Sequence, residues 1–186
     1  VVVESTGFFT DYEKASAHIA TGAKRVVITA PVKDEAANGA NVLVGVNEEK
    51  LATCEVSSNA SCTTNASSPL IAILDETIGI EKALLNTTHA YTATQSLVDG
   101  PVRGSDLRRG RAAAQNIVPS STGAAVAVTK AYETLQEKFD GISLRVPVVA
   151  GSIADITFIA KRDTTRDEVN QILKKAATDA RWKGIF

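Results

Sequence analysis

Methionine is absent from all 186 residues, and the chain opens on Val1-Val2-Val3, a run suited to the inside of a strand. With no initiator residue in it, the sequence is expected to be an internal fragment of a longer polypeptide. Cysteine is scarce, occurring only at Cys54 and Cys62. Two cysteines exclude a disulfide framework and point to a reducing, cytoplasmic compartment. Histidine is equally rare, at His18 and His89. No His and Cys residues stand at ligand spacing, so a metal site has no support. Charge of one sign is missing too: 20 Lys+Arg against 21 Asp+Glu give a net charge of −1. That balance argues against a nucleic-acid binder held by phosphate electrostatics and against a polybasic membrane anchor. No apolar run approaches the roughly 18–20 residues that span a bilayer, and no signal-peptide pattern occurs.

What is present is ordinary globular composition, 44% hydrophobic and 22% charged. The segments alternate between strand and helix periods, which reads as α/β. Val1 to Val3 are strand-like. Thr10 or Asp11 caps a helix through about Thr21, with Gly22 as its stop. Arg25 to Thr29 is a continuous apolar strand of the kind buried in a parallel sheet, and Val42 to Val46 reads as another. Cys54 reads as part of a short alternating strand. A helix starts at Ser61-Cys62 and ends at Gly79, followed by a long strand from Ile80 to Tyr91. Thr92 to Pro119 is polar, Arg-rich and aperiodic, too long for an idle loop. Thr122-Gly123 opens a small-residue helix to about Leu135. Strands from Ile142 to Val148 and Ile153 to Lys161 follow. A last helix starts at the capping box Thr165 to Glu168 and ends before Gly184. The fold class expected is the end of a Rossmann-type parallel sheet (1–61) followed by an α+β unit (62–186).

Chemistry concentrates on few residues. Cys62 falls in the first turn of a helix, where the dipole and unpaired N–H groups favour an anionic sulfur, with Ser61 and Thr63 adding hydroxyls. The bland reading is a structural thiol, as for Cys54. His89, near a strand end, is the one plausible basic partner for Cys62, because His18 reads as a solvated helix residue. Ser120-Ser121-Thr122-Gly123 precedes a helix and could cradle an anion. Arg145 stands in an apolar strand, where a charge needs an anion or a carboxylate, and Asp155 is the structural partner on offer. Arg103, Arg108, Arg109 and Arg111 read as an exposed or subunit-contacting loop rather than a ligand site.

Taken together, Ser61 to Asn65 (Ser-Cys-Thr-Thr-Asn), His89 to Thr92, Arg111 to Ala125 and Leu144 to Pro147 resemble the phosphorylating glyceraldehyde-3-phosphate dehydrogenases. Glu4 to Gly7, Thr29 to Pro31, Gly45 to Asn47 and Lys183 to Ile185 add to the likeness, in the family's order along nearly the whole chain. The resemblance implies an NAD-dependent oxidoreductase of glycolysis. Cys62 matches its nucleophile and His89 its base. Ser61, Thr63, Thr122 and Gly123 fall on the site of the attacking phosphate, and Thr92 and Arg145 on that of the substrate's phosphate. Ser5, Thr6, Gly7, Phe9 and Thr29 match cofactor-binding segments. Asp99-Gly100-Pro101 resembles NAD-specific rather than NADP-specific members.

The same resemblance implies a homotetramer, with the Thr92 to Pro119 loop lining the cofactor pocket and packing between subunits. The family's Gly-rich first turn, its acidic ribose-binding residue and its returning C-terminal segment are not in the sequence, so this stretch alone is expected to be inactive. Departures are a longer loop at Val32 to Asn41, Ala66 in place of a second cysteine, and Val148 to Gly151 after the Arg-Val-Pro. Two alternatives stand beside the lead: an erythrose-4-phosphate dehydrogenase, and a residual or interaction fragment without activity. A papain-like hydrolase is a distant third, because the flanking residues match nothing it requires.

Overall fold

The computed structural model describes residues 1–102 and 104–186; Arg103, read above with the loop arginines, lies outside them. Four short strands, β1 (Val2–Glu4), β2 (Val26–Ile28), β3 (Gly39–Asn41) and β4 (Val56–Ser58), form an all-parallel sheet in the order β1-β2-β4-β3. Helix α1 (Tyr12–Ala20) packs on it. Asp11 is its cap, accepting a 2.7 Å bond from the Lys14 N–H, and Gly22 (φ +107°) follows its end. Tyr12, Ala15, Val26, Ile28 and Val56 form the small core beneath α1.

The third strand lies earlier than the apolar run at Val42 to Val46 suggests. Asn47 explains why: its Oδ1 accepts from the Leu43 N–H at 2.8 Å, while its Nδ2 donates to Asn41 O at 2.9 Å. With Gly45 at φ +78°, that side chain folds the run into turns instead of a ladder. Cys54 is not in a strand either. It is buried just beyond a 3₁₀ turn (Glu48–Ala52), its N–H on Lys50 O, and burial pushes its thiol pKa up.

The second sheet is mixed, in the order β6-β7-β5-β8, from β5 (Ile80–Ala90), β6 (Val118–Ser121), β7 (Phe139–Val146) and β8 (Ser152–Ala160). β5 runs parallel to β7 and antiparallel to β8. β7 stops two residues sooner than expected, since Pro147 has no N–H for the ladder. It also starts earlier, where Gly141 lies so close to β5 that a Cβ would sit 2.6 Å from Leu85 O.

Helices α2 (Cys62–Thr77), α3 (Ala124–Ala131) and α4 (Arg166–Ala176) pack with this sheet around a core that includes Ile71, Leu74, Leu85, Val128 and Phe139. Each such side chain contributes about 1.5–3 kcal/mol of burial. The capping box reads true, with the Glu168 N–H on Thr165 Oγ1. α4 ends before Gly184 as expected, at Ala176, and Asp179 caps a separate 3₁₀ turn (Ala180–Trp182). The other face of the sheet bears Leu84, Ile142 and Ile153, which are 63%, 46% and 71% exposed. Arg181 ties the two regions together. Its Nε donates to Gly45 O at 2.7 Å, its two terminal nitrogens grip Glu76, and its guanidinium stacks 4.4 Å over Trp182. Among the described residues no helix is long and apolar enough to cross a membrane.

Candidate active site

The parallel order of the first sheet brings the C-terminal ends of β1, β2 and β4 side by side. From there the chain turns from Ser58 into α2 through Asn59 and Ala60. Ala60 has φ +53°, a left-handed conformation that disfavours a residue with a Cβ. The side chain of Asn65 braces this turn, its Nδ2 donating to Asn59 O at 2.8 Å and to Ser61 O at 2.9 Å. Ser61 is the helix cap, its Oγ accepting from the Thr64 N–H at 3.1 Å. Cys62 follows as the first helical residue, exposed, beside N–H groups that have no intrahelical acceptor. Thr63 is buried, with its Oγ1 4.0 Å from Cys62 Sγ.

His89 reaches the same point from the end of β5. Its Nε2 lies 3.4 Å from Cys62 Sγ, so the structure brings together the two residues that sequence reasoning paired. Its Nδ1 faces two groups at 2.7 Å, the Ala90 carbonyl and Arg145 Nη1. The carbonyl only accepts and the guanidinium only donates, so the two select opposite tautomers. With the proton on Nδ1, donated to Ala90 O, Nε2 is free to accept a proton from sulfur or substrate. With the proton on Nε2, the ring accepts from Arg145.

Arg145 arrives through register, since β7 places it directly opposite His89 on β5. Asp155 is not its partner. That residue pairs with Asn86, three positions back along β5, and no carboxylate salt bridge to Arg145 occurs among the described residues. Arg145 donates instead to Ala90 O at 3.1 Å, and its buried Nε has no hydrogen-bond partner. Burial draws its guanidinium pKa below the ordinary range, and the like charge of Arg109 adds to this. A half-buried cation without a carboxylate partner, its Nε buried and unpartnered, is a place for an anion.

Arg109 is the residue that the sequence hid. Arg108 and Arg111 are exposed in surface ion pairs with Asp106 and Asp99, as a solvated loop would have them. Arg109 is 24% exposed; it bonds Thr94 Oγ1 at 2.7 Å and approaches Ser121 O at 3.5 Å. Thr94 Oγ1 in turn lies 3.1 Å from Thr92 Oγ1. Arg109 thus links Thr92 to the end of β6, next to Thr122 and Gly123. Thr122 Oγ1 accepts from the Ala124 N–H at 3.1 Å, and Gly123 is the residue before α3. Three arginines in four positions gave no signal of which one turns inward; the 3₁₀ turn Leu107–Gly110 decides it.

The cofactor candidates gather at the C-terminal edge of the first sheet, where open parallel sheets bind ligands. Ser5, Thr6 and Gly7 are exposed beyond β1, and Thr29 is exposed beyond β2. Gly7 (φ +81°) has nothing within 4 Å of where a Cβ would stand, which leaves the backbone open to close approach. Phe9 turns inward against the small core, its ring centroid 5.0 Å from that of His18. His18 is no solvated residue: its Nε2 lies 3.0 Å from the buried carboxylate of Glu4. Thr29 neighbours Asn59, whose N–H donates to Ile28 O at 3.0 Å, so one edge leads from Ser5 past Thr29 toward Cys62.

Residues 61–186 match the family described as glyceraldehyde 3-phosphate dehydrogenase, C-terminal domain. The whole chain is 50% identical over 188 residues to a glyceraldehyde-3-phosphate dehydrogenase of Streptomyces coelicolor, covering 54% of that relative. It is 49% identical to one of Mycobacterium tuberculosis and 48% identical to glyceraldehyde-3-phosphate dehydrogenase B of Aspergillus oryzae, covering 53% and 54% of them. The chain therefore spans about half the length of the curated relatives it matches. Matched to that family over well more than half of its length, the chain belongs to the glyceraldehyde-3-phosphate dehydrogenase family.

Proposed function

We propose that the protein carrying this sequence oxidises glyceraldehyde 3-phosphate with NAD and inorganic phosphate to 1,3-bisphosphoglycerate, as a glycolytic enzyme of the cytoplasm. The observation that carries the reading is the 3.4 Å approach of Cys62 Sγ and His89 Nε2 beside a half-buried Arg145 whose Nε has no partner. Cys62 Sγ attacks the aldehyde carbon and forms a thiohemiacetal. His89 Nε2, in the tautomer that donates from Nδ1 to Ala90 O, takes the hydroxyl proton as the carbonyl re-forms. Bound NAD supplies the hydride acceptor. The acyl group is left as a thioester on Cys62, and an inorganic phosphate oxygen attacks it and releases the sulfur as thiolate.

Two anions must be held at once. Thr92 and Arg145 take the substrate's own phosphate; Ser61, Thr63, Thr122 and Gly123 take the attacking one. Arg109, bridging Thr94 and Ser121, lies where it can serve the anions from the loop side. Ser5, Thr6, Gly7 and Thr29 line the edge that suits the dinucleotide, and Phe9 anchors that turn from the core side. Residues 1–61 then belong to the nucleotide-binding domain and 62–186 to the catalytic domain. The exposed apolar face at Leu84, Ile142 and Ile153 supports a homotetramer, since a patch of that kind is normally covered.

The test is NADH formation by the protein carrying this sequence. Cys62→Ala abolishes it and Cys54→Ala leaves most of it; equal turnover by Cys62→Ala and parent sinks the mechanism. Comparing kcat/KM for glyceraldehyde 3-phosphate and erythrose 4-phosphate separates the two dehydrogenase readings.

A further inference from the structure

The chemistry above uses neither Glu4 nor His18, yet Glu4 is the most deeply engaged carboxylate at the C-terminal edge of the first sheet. Its side chain is 3% exposed. One oxygen, Oε1, accepts from the Thr6 N–H at 2.7 Å and from the Thr6 hydroxyl, whose oxygen accepts from the Phe8 N–H at 3.2 Å. The other, Oε2, faces His18 Nε2 at 3.0 Å; a carboxylate only accepts, so that nitrogen carries the proton. The main chain of Glu4 reaches the next strand as well: its carbonyl accepts the Thr29 N–H at 2.9 Å and the Thr29 hydroxyl at 3.2 Å. One residue thus holds both exposed segments of the edge, the Ser5–Phe9 turn and Thr29. His18 backs it from α1, with Phe9 packed on the imidazole.

A buried carboxylate is costly unless its oxygens are all engaged. Here one oxygen is spent on a turn whose tip packs against nothing: Ser5 to Phe8 are exposed, and Gly7 has open space around it. The hydrogen bonds from Thr6 hold the Glu4 carboxyl below the usual carboxylate range, which keeps it an acceptor. We infer that Glu4, held by His18, is a positioning residue for the dinucleotide, pre-shaping the Ser5–Phe9 turn and Thr29 before the ligand arrives. The inference rests on the dinucleotide reading above. Pre-shaping lowers the ordering cost of binding, so its loss weakens the complex without touching the reacting atoms.

Calorimetric titration with NAD, and separately with ADP-ribose, tests it on the protein carrying this sequence. Glu4→Gln and His18→Leu each raise Kd roughly tenfold for both ligands, the scale of one hydrogen bond to a charged group. His18→Gln, which keeps an N–H donor at the position of Nε2, restores the parent Kd. Alkylation of Cys62 by iodoacetamide proceeds at the parent rate in all three variants. Unchanged Kd values in Glu4→Gln and His18→Leu, with a parent that binds, overturn the inference and leave the dinucleotide reading intact. Alkylation that slows in step with binding overturns it too, because the pair is then a general element of the fold. A parent that binds neither ligand overturns the dinucleotide reading itself, and the inference with it.

Discussion

Asn65 braces the turn that presents Cys62, and replacing it by alanine isolates that brace. The substitution removes the two N–H···O bonds, 2.8 and 2.9 Å long, that hold Asn59 O and Ser61 O on either side of Ala60. A net hydrogen bond is worth about 1 kcal/mol, and both bonds are partly open to solvent, so the loss is about 1–2 kcal/mol. The loosened turn samples conformers in which Sγ leaves His89. If the whole loss is expressed there, the reactive arrangement falls about 5- to 30-fold. The assay is the second-order rate of Cys62 alkylation by iodoacetamide, read cleanly because Cys54 is buried. Asn65→Ala slows it by that factor and lowers the thermal midpoint by about 2–8 °C. A rate and a midpoint both equal to the parent's refute the idea that the brace sets the nucleophile's position.

Arg109→Leu and Arg145→Leu each lower kcat/KM for the phosphorylated aldehyde about 100-fold or more, whereas Arg108→Leu, in its exposed pair with Asp106, leaves it unchanged. Steady-state kinetics on the three variants check the distinction between one inward and one outward arginine of the same loop. Gly141→Ala forces a Cβ to 2.6 Å from Leu85 O, so β5 and β7 must separate. Overpacking of that kind costs about 1–3 kcal/mol, visible as a lower urea midpoint. Hydrogen bonds from Arg162 and then Thr164 hold the Glu168 carboxyl at about 2, below its ordinary 4.5. A depressed carboxyl stabilises the fold above the unfolded pKa near 4.5, and that contribution is lost as pH falls through about 2. Urea midpoints of parent and Glu168→Gln compared between pH 5 and pH 2 show a larger fall in the parent than in the variant.

Local signals were legible where a side chain acts on its own neighbourhood. Asp11, Ser61 and Thr165 each announce a helix, and each proves to be its cap. The continuous Val26–Ile28 run and the long Ile80–Ala90 strand are equally local. Errors fell where a side chain outside the run, near or far, decides. Val42 to Val46 has the composition of a strand, but the amide of Asn47 captures its backbone. His18 has polar and small neighbours on its helix, and only the fold supplies Glu4, 14 positions earlier. For Arg145 the sequence offered Asp155 on the next strand. The sheet order puts β5 between them, so the guanidinium meets His89 and Ala90 instead. Cys62 and His89, 27 positions apart, were paired from chemistry because few other groups could serve. Arg109 was missed because inward and outward arginines look alike until a turn separates them.

The grip of Arg181 on Gly45 and Glu76 also bears on how the chain is made. These contacts span 136 and 105 positions, so they close only after the residues around 181 have left the ribosome. Until then the Gly45 turn and the end of α2 lack the partner that joins them, and Trp182 is not yet in place to cover Ala72 and Ile73. Non-local closure of this kind comes slowly. The nascent chain therefore passes through a stage with an exposed apolar seam, which closes only once the Ala180–Trp182 turn has emerged.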